Sequence, residues 1–122
     1  MKTIIGVASF EGMMERSLDR AKKRTQGERV RPERRIMFEH PEDMVSFLTP
    51  HRIRLYREVK ERPLSVTDLA KALDRNRSAV SRDVKALQEQ RLVKLTRTVN
   101  PGHGMVTVVS ARAKHVELRA HL

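Results

Sequence analysis

An α+β fold is predicted for this chain, and three features of residues 49–110 predict it. Three helical stretches succeed one another between Thr49 and Gln90, each opened by a residue suited to capping: Thr49, Ser65 and Asn76. Two strand-like runs, residues 92–99 and 105–110, follow across a loop of Asn100, Pro101, Gly102, His103 and Gly104. The third helix carries two unlike faces. Val80, Val84 and Leu87 recur at i, i+4 and i+7, while Ser78, Ser81, Arg82 and Lys85 recur at i, i+3, i+4 and i+7. That order of elements is a helix-turn-helix followed by a β-hairpin wing.

The elements are justified in turn. Ile4, Ile5 and Val7 predict a short strand over residues 2–8. Ser9 is placed to cap a helix from Phe10 to about Arg24, with Phe10, Met14, Leu18 and Ala21 as its apolar stripe. Glu11 and Glu15 sit early in that helix and Lys22, Lys23 and Arg24 late, as the helix dipole favours. Gly27 is a stop, and residues 28–35 read as a charged connector. A second strand is expected over residues 35–39, then a short helix over residues 41–48 with Met44, Val45 and Leu48 inward. Thr49 and Pro50 are a capping hydroxyl followed by proline at the first helical position, and Pro63 marks that helix's end. Ser65 with Asp68 three residues on is a variant capping box, with Leu69 and Leu73 facing the core. Asp74 and Arg75 make the turn, and Asn76 caps the last helix, to about Gln90. The end, residues 111–122, is open to either strand or helix. The organisation expected is an N-terminal strand-helix-strand arm (1–48) for dimerisation or partner binding, a helix-turn-helix and wing (49–110), and a tail (111–122).

Charge points to a polyanion. The 122 residues carry 26 Lys plus Arg against 15 Asp plus Glu, a net +11. Residues 1–48 hold 10 basic and 8 acidic side chains, residues 49–99 hold 13 and 6, and residues 100–122 hold 3 and 1. The excess is concentrated on the helix-turn-helix. A helix with an apolar back and a face of short hydroxyls and long cations suits a DNA major groove. Aromatics are limited to Phe10, Phe38, Phe47 and Tyr56, too few for the stacking platforms of single-strand binders. Double-stranded DNA is the expected partner.

The run from Leu48 to Ser110, with "LSVTDLAKAL", "RSAVSRDVKAL" and "RLVKL", resembles the MarR-like winged helix-turn-helix transcriptional regulators. The resemblance implies that the third helix lies in the major groove and that the wing reaches the backbone or minor groove. On the matching positions, Arg77, Ser78, Ser81, Arg82 and Lys85 face the groove, and Arg97 and His103 stand on the wing. Asn76, the cap, joins this DNA-binding set. The family often has glycine where Asp74 and Arg91 stand here; aspartate tolerates the left-handed conformation, and arginine there costs about 1 kcal/mol. The run "RIMFEHPEDMVSFLTPHRIRLYREV" is similar to regulators encoded beside toxin genes, which implies a second role: neutralising a cognate toxin through the N-terminal arm.

Other chemistries find no support in the sequence. There is no cysteine, hence no disulfide and no thiolate ligand or nucleophile. The histidines, His40, His51, His103, His115 and His121, complete no metal-ligand spacing, so neither a metal nor another cofactor is expected. No phosphate loop, nucleophile elbow or paired catalytic carboxylates occur, and no enzyme is expected. No apolar run nears the ~18 residues of a membrane span, so a cytoplasmic protein is expected, with no membrane partner. One recognition helix reads few base pairs, so a homodimer on two half-sites is expected, acting as a repressor of its own operon. Phe10, Met14 and Leu18 are the candidate dimer or partner interface.

Overall fold

The structure is a computed structural model that describes residues 2–8, 10–27, 32–102 and 104–122, with the backbone alone for residues 10–13. The chain forms two compact units, one of residues 1–46 with 115–122 and one of residues 47–114. Ser9, the expected cap of the first helix, lies outside the described residues.

The first unit is built on a three-stranded sheet of order β2-β1-β6. Strand β1 (Lys2–Val7) is central, with β2 (Glu33–Phe38) and β6 (His115–Arg119) parallel to it on either side. Parallel neighbours need a crossover, and α1 (Phe10–Thr25) supplies it between β1 and β2. Consecutive strand residues point to opposite faces, yet Ile4 and Ile5 are both fully buried. An unbroken apolar run is what a parallel strand covered on both faces requires. Gly6 allows β6 to approach: a Cβ there would stand 2.8 Å from the Arg119 carbonyl oxygen. Glu117 of β6 accepts from Lys2 Nζ at 2.6 Å and from Arg119 Nε at 3.1 Å. These hydrogen bonds, Lys2 first, hold its carboxyl down to about 2. The tail therefore resolves as a strand, paired with the chain's own beginning. In the short helix α2 (Pro41–Phe47) Met44 is buried as expected, but Val45 is 65% exposed. Residues 44 and 45 sit about 100° apart around a helix, and seven residues offer one inward stripe.

The second unit holds α3 (Pro50–Glu61), β3 (Leu64–Ser65), α4 (Val66–Leu73), α5 (Arg77–Glu89), β4 (Val93–Asn100) and β5 (Gly104–Ala111). All three expected caps form. Thr49 Oγ1 accepts from Arg52 N at 3.2 Å, Ser65 Oγ from Asp68 N at 3.1 Å, and Asn76 Oδ1 from Ser78 N at 2.8 Å. Leu55 and Val59, Leu69, and Val80, Val84 and Leu87 bring the three helices into one core with Leu92, Val93 and Val109. Each such burial contributes about 1.5–3 kcal/mol. Helices α4 and α5 end in the same way. Arg75 N donates to Ala70 O and Asp74 N to Lys71 O; Leu92 N donates to Leu87 O and Arg91 N to Gln88 O. This closure needs a left-handed residue, and Asp74 (φ 51°) and Arg91 (φ 58°) provide it without glycine. The hairpin pairs Val93 with Ala111 through to Asn100 with Gly104. Strand β3, too short to show a period in the sequence, adds a third strand along β5. Residues 47–114 thus make a winged helix-turn-helix within an α+β chain. Among the described residues, no helix is long and apolar enough to cross a membrane.

Candidate nucleic-acid interface

Helix α5 turns its Val80, Val84 and Leu87 stripe into the core, which leaves the opposite side to solvent. Arg77, Ser78, Ser81, Arg82 and Lys85 are all exposed there. At 100° per residue, Ser78, Ser81, Arg82 and Lys85 fall within about 100° of arc, with Arg77 at its margin. Among the described residues, Arg77, Arg82 and Lys85 enter no salt bridge. Their charge is therefore available to an outside anion. Asn76 is exposed at the start of the helix, with its side-chain oxygen committed to the cap.

What fixes this helix is an acid that sequence reasoning passed over. Asp83 is only 8% exposed. Its Oδ1 accepts from Arg52 Nε of α3 at 3.0 Å, and its Oδ2 from Arg75 Nη1 in the turn at 2.7 Å. Arg52 also donates to the Phe47 carbonyl at 2.8 Å and lies 5.7 Å from the centre of the Phe47 ring. Burial by itself pushes the Asp83 carboxyl up, but the hydrogen bonds and charges of the two guanidinium groups outweigh it. The net result is a pKa below the usual carboxylate range. One carboxylate thus joins α3, the turn and α5. The signal in the sequence was an acid beside Val84 and three residues from Val80, on the side of the helix that must be buried. A charge there requires a partner.

The wing carries Arg97, exposed and opposite Thr107. His103 lies outside the described residues. Nearer the tip, Val99 and Met105 face each other across the hairpin, 72% and 52% exposed. At the hairpin's base, Tyr56 donates its hydroxyl to the Ala113 carbonyl, and burial pushes the phenol's pKa up. An open cleft of about 480 Å³ lies at the turn, lined by Thr67 and Lys71 of α4 together with Arg77. These two α4 residues border the recognition face without having been singled out from the sequence, because a lone exposed Lys on a short helix carries no pattern.

The expected dimer contacts form a separate group on α1. Met14 and Leu18 are 47% and 65% exposed, and Ala21 is exposed as well. The side chain of Phe10 lies outside the described residues. Among the described residues, Met14, Leu18 and Ala21 thus form an exposed part of the stripe.

This arrangement defines the chain's class: a winged helix-turn-helix domain with a basic, hydroxyl-bearing third helix. The chain belongs to the HVO_A0114 family, whose profile matches residues 47–115. No curated protein matches the sequence. Several solved structures share the fold. A possible transcriptional regulator from Methanosarcina mazei Go1 is 22% identical, over 63% of this chain and 68% of that one, with a TM-score of 0.51. The transcriptional regulator HlyU from Vibrio vulnificus CMCP6 is 13% identical over 84% of each chain, with a TM-score of 0.52. HlyU from Vibrio cholerae N16961, in its reduced form, is 15% identical over 83% and 81%, with a TM-score of 0.50.

Proposed function

We propose that this chain is a transcriptional regulator that binds double-stranded DNA sequence-specifically, as a homodimer that represses its own operon. The observation that carries this reading is the outer face of α5. Two hydroxyls and three cations outside every described salt bridge stand on a helix whose other side is locked into the core by Val80, Val84, Leu87 and Asp83. Such a helix enters a major groove as a rigid reader. Arg82 grips guanine O6 and N7 through two parallel hydrogen bonds, Ser78 and Ser81 reach bases or phosphates, and Lys85 neutralises phosphate. Arg97 and His103 on the wing add backbone contacts, and Asn76 sits at the groove end of the helix. The transcription roles named for the structurally similar proteins agree with this reading.

Selection of duplexes from a randomised pool tests it. A discrete half-site motif is expected to emerge. On that duplex, Arg82→Ala should weaken binding by about 1–3 kcal/mol and relax preference at one base pair. Lys85→Ala should weaken all sequences alike and reduce the salt slope by ~1. If no sequence is enriched, or both variants bind like wild type, α5 is not the reader.

A further inference from the structure

We propose that α1 is the contact between two copies of this chain, packed antiparallel about a twofold axis near Leu18. The proposal deepens the homodimeric reading above, but its observations are independent of DNA. The first is the uncovered stripe. Met14, Leu18 and Ala21 fall within about 60° of one another around the helix, and all three are exposed. Arg20, about 120° from Met14 around the same helix, reaches β2 through Glu33 at 3.4 Å. This ion pair ties the helix to β2, while Met14, Leu18 and Ala21 stay exposed. A stripe of this kind on a helix of 16 residues, about 24 Å long, requires a cover.

The second observation selects the cover. Glu15 and Lys22 lie on the same flank of the stripe, about 100° and 80° from Met14. Both are exposed, and among the described residues neither enters a salt bridge. Two turns separate them, about 10 Å, so they do not meet within one helix. When a second copy lies antiparallel, like flanks face each other. Glu15 then comes beside Lys22 of the partner subunit, and symmetry repeats the pair. Met14 comes beside Ala21 of the partner subunit, and the two Leu18 side chains meet at the axis. The last-turn cations Lys22, Lys23 and Arg24 also fall near the start of the other helix's acidic half. A parallel copy would set like charges level and align the helix dipoles side by side. The charge pattern therefore fits an antiparallel copy of the chain itself.

The absence of cysteine makes a clean test with the full chain. Leu18→Cys under mild oxidation should give a disulfide-linked dimer, while Lys60→Cys on the exposed side of α3 should not. Met14→Glu with Leu18→Glu should sediment as a monomer with an unchanged circular dichroism spectrum, since both side chains are exposed in the fold. Glu15→Lys should weaken self-association at least fivefold, and adding Lys22→Glu should restore it. The proposal is overturned if Leu18→Cys links no better than Lys60→Cys, if the double glutamate variant keeps the wild-type mass, or if the charge swap restores nothing. A different protein seated on this face, a toxin included, would give that first result. Duplex binding by the same variants separates the two readings. A Leu18→Cys chain that links but binds no duplex refutes the DNA reading alone. A wild-type chain that is monomeric and binds duplex refutes the interface and the homodimer with it, and leaves the DNA reading standing.

Discussion

Replacing Asp83 probes how the recognition helix is held. Asp83→Ala removes a carboxylate that is 8% exposed and leaves two guanidinium groups without their acceptor. Removing one partner of a buried ion pair costs about 3–5 kcal/mol. Two features place this site at the low end. The Arg52 and Arg75 side chains retain 19% and 17% exposure, so water reaches them. Arg52 also keeps the Phe47 carbonyl. We expect a loss of about 3 kcal/mol, and a fall in melting temperature of roughly 10–20 °C. The effect also has a pH signature. The folded-state pKa of Asp83 is depressed, so its stabilisation is fully present above the unfolded aspartate value, near 3.9. It is lost as pH falls through the lower, folded value. Asp83→Asn keeps the shape and cannot ionise. Its deficit relative to wild type should be clear at pH 7 and shrink as the pH drops below about 4. Urea titrations followed by circular dichroism at pH 7 and pH 3 measure both. An alanine variant within about 0.5 kcal/mol of wild type, or an asparagine deficit that does not change with pH, would refute this account.

Further outcomes follow from local geometry. Gly6→Ala should destabilise the N-terminal unit by about 1–3 kcal/mol, because the new methyl meets the Arg119 carbonyl and pushes β6 from β1; hydrogen exchange should localise the loss to residues 2–7 and 115–119. Asp74→Val should cost about 1–2 kcal/mol at φ 51°, whereas Asp74→Gly should cost little, as thermal unfolding of the pair would show. Arg97→Ala should lower affinity for every duplex alike and cut the salt slope by ~1, with fluorescence anisotropy over a salt series as the measurement.

Much of the second unit was legible in the sequence because its determinants are local. A cap and the amide it serves lie two or three residues apart, as at Thr49, Ser65 and Asn76. An amphipathic period spans a few turns, as in Val80, Val84 and Leu87. The left-handed turns at Asp74 and Arg91 fall at the two positions where the resemblance drawn from the sequence implied glycine. From these the three helices, the wing and the outer face of α5 could be drawn without coordinates.

What only the tertiary structure decided involves groups far apart in the chain. Asp83 finds Arg52 across 31 positions, and no pattern within either helix names the other. Residues 115–119 carry no period that separates strand from helix; they become a strand because β1, at the opposite end of the chain, offers an edge and Gly6 makes room. Strand β3 has two residues and exists through its pairing with Val108 and Val109. The stripe of α1 was plain in the sequence, but its exposure was not: whether a face of an amphipathic helix is covered depends on what the rest of the chain sets beside it, and Met14, Leu18 and Ala21 stay exposed. Local periodicity and caps fix where elements begin, end and turn; long-range pairing, which requires the chain to close on itself, fixes which of their surfaces remain for another molecule.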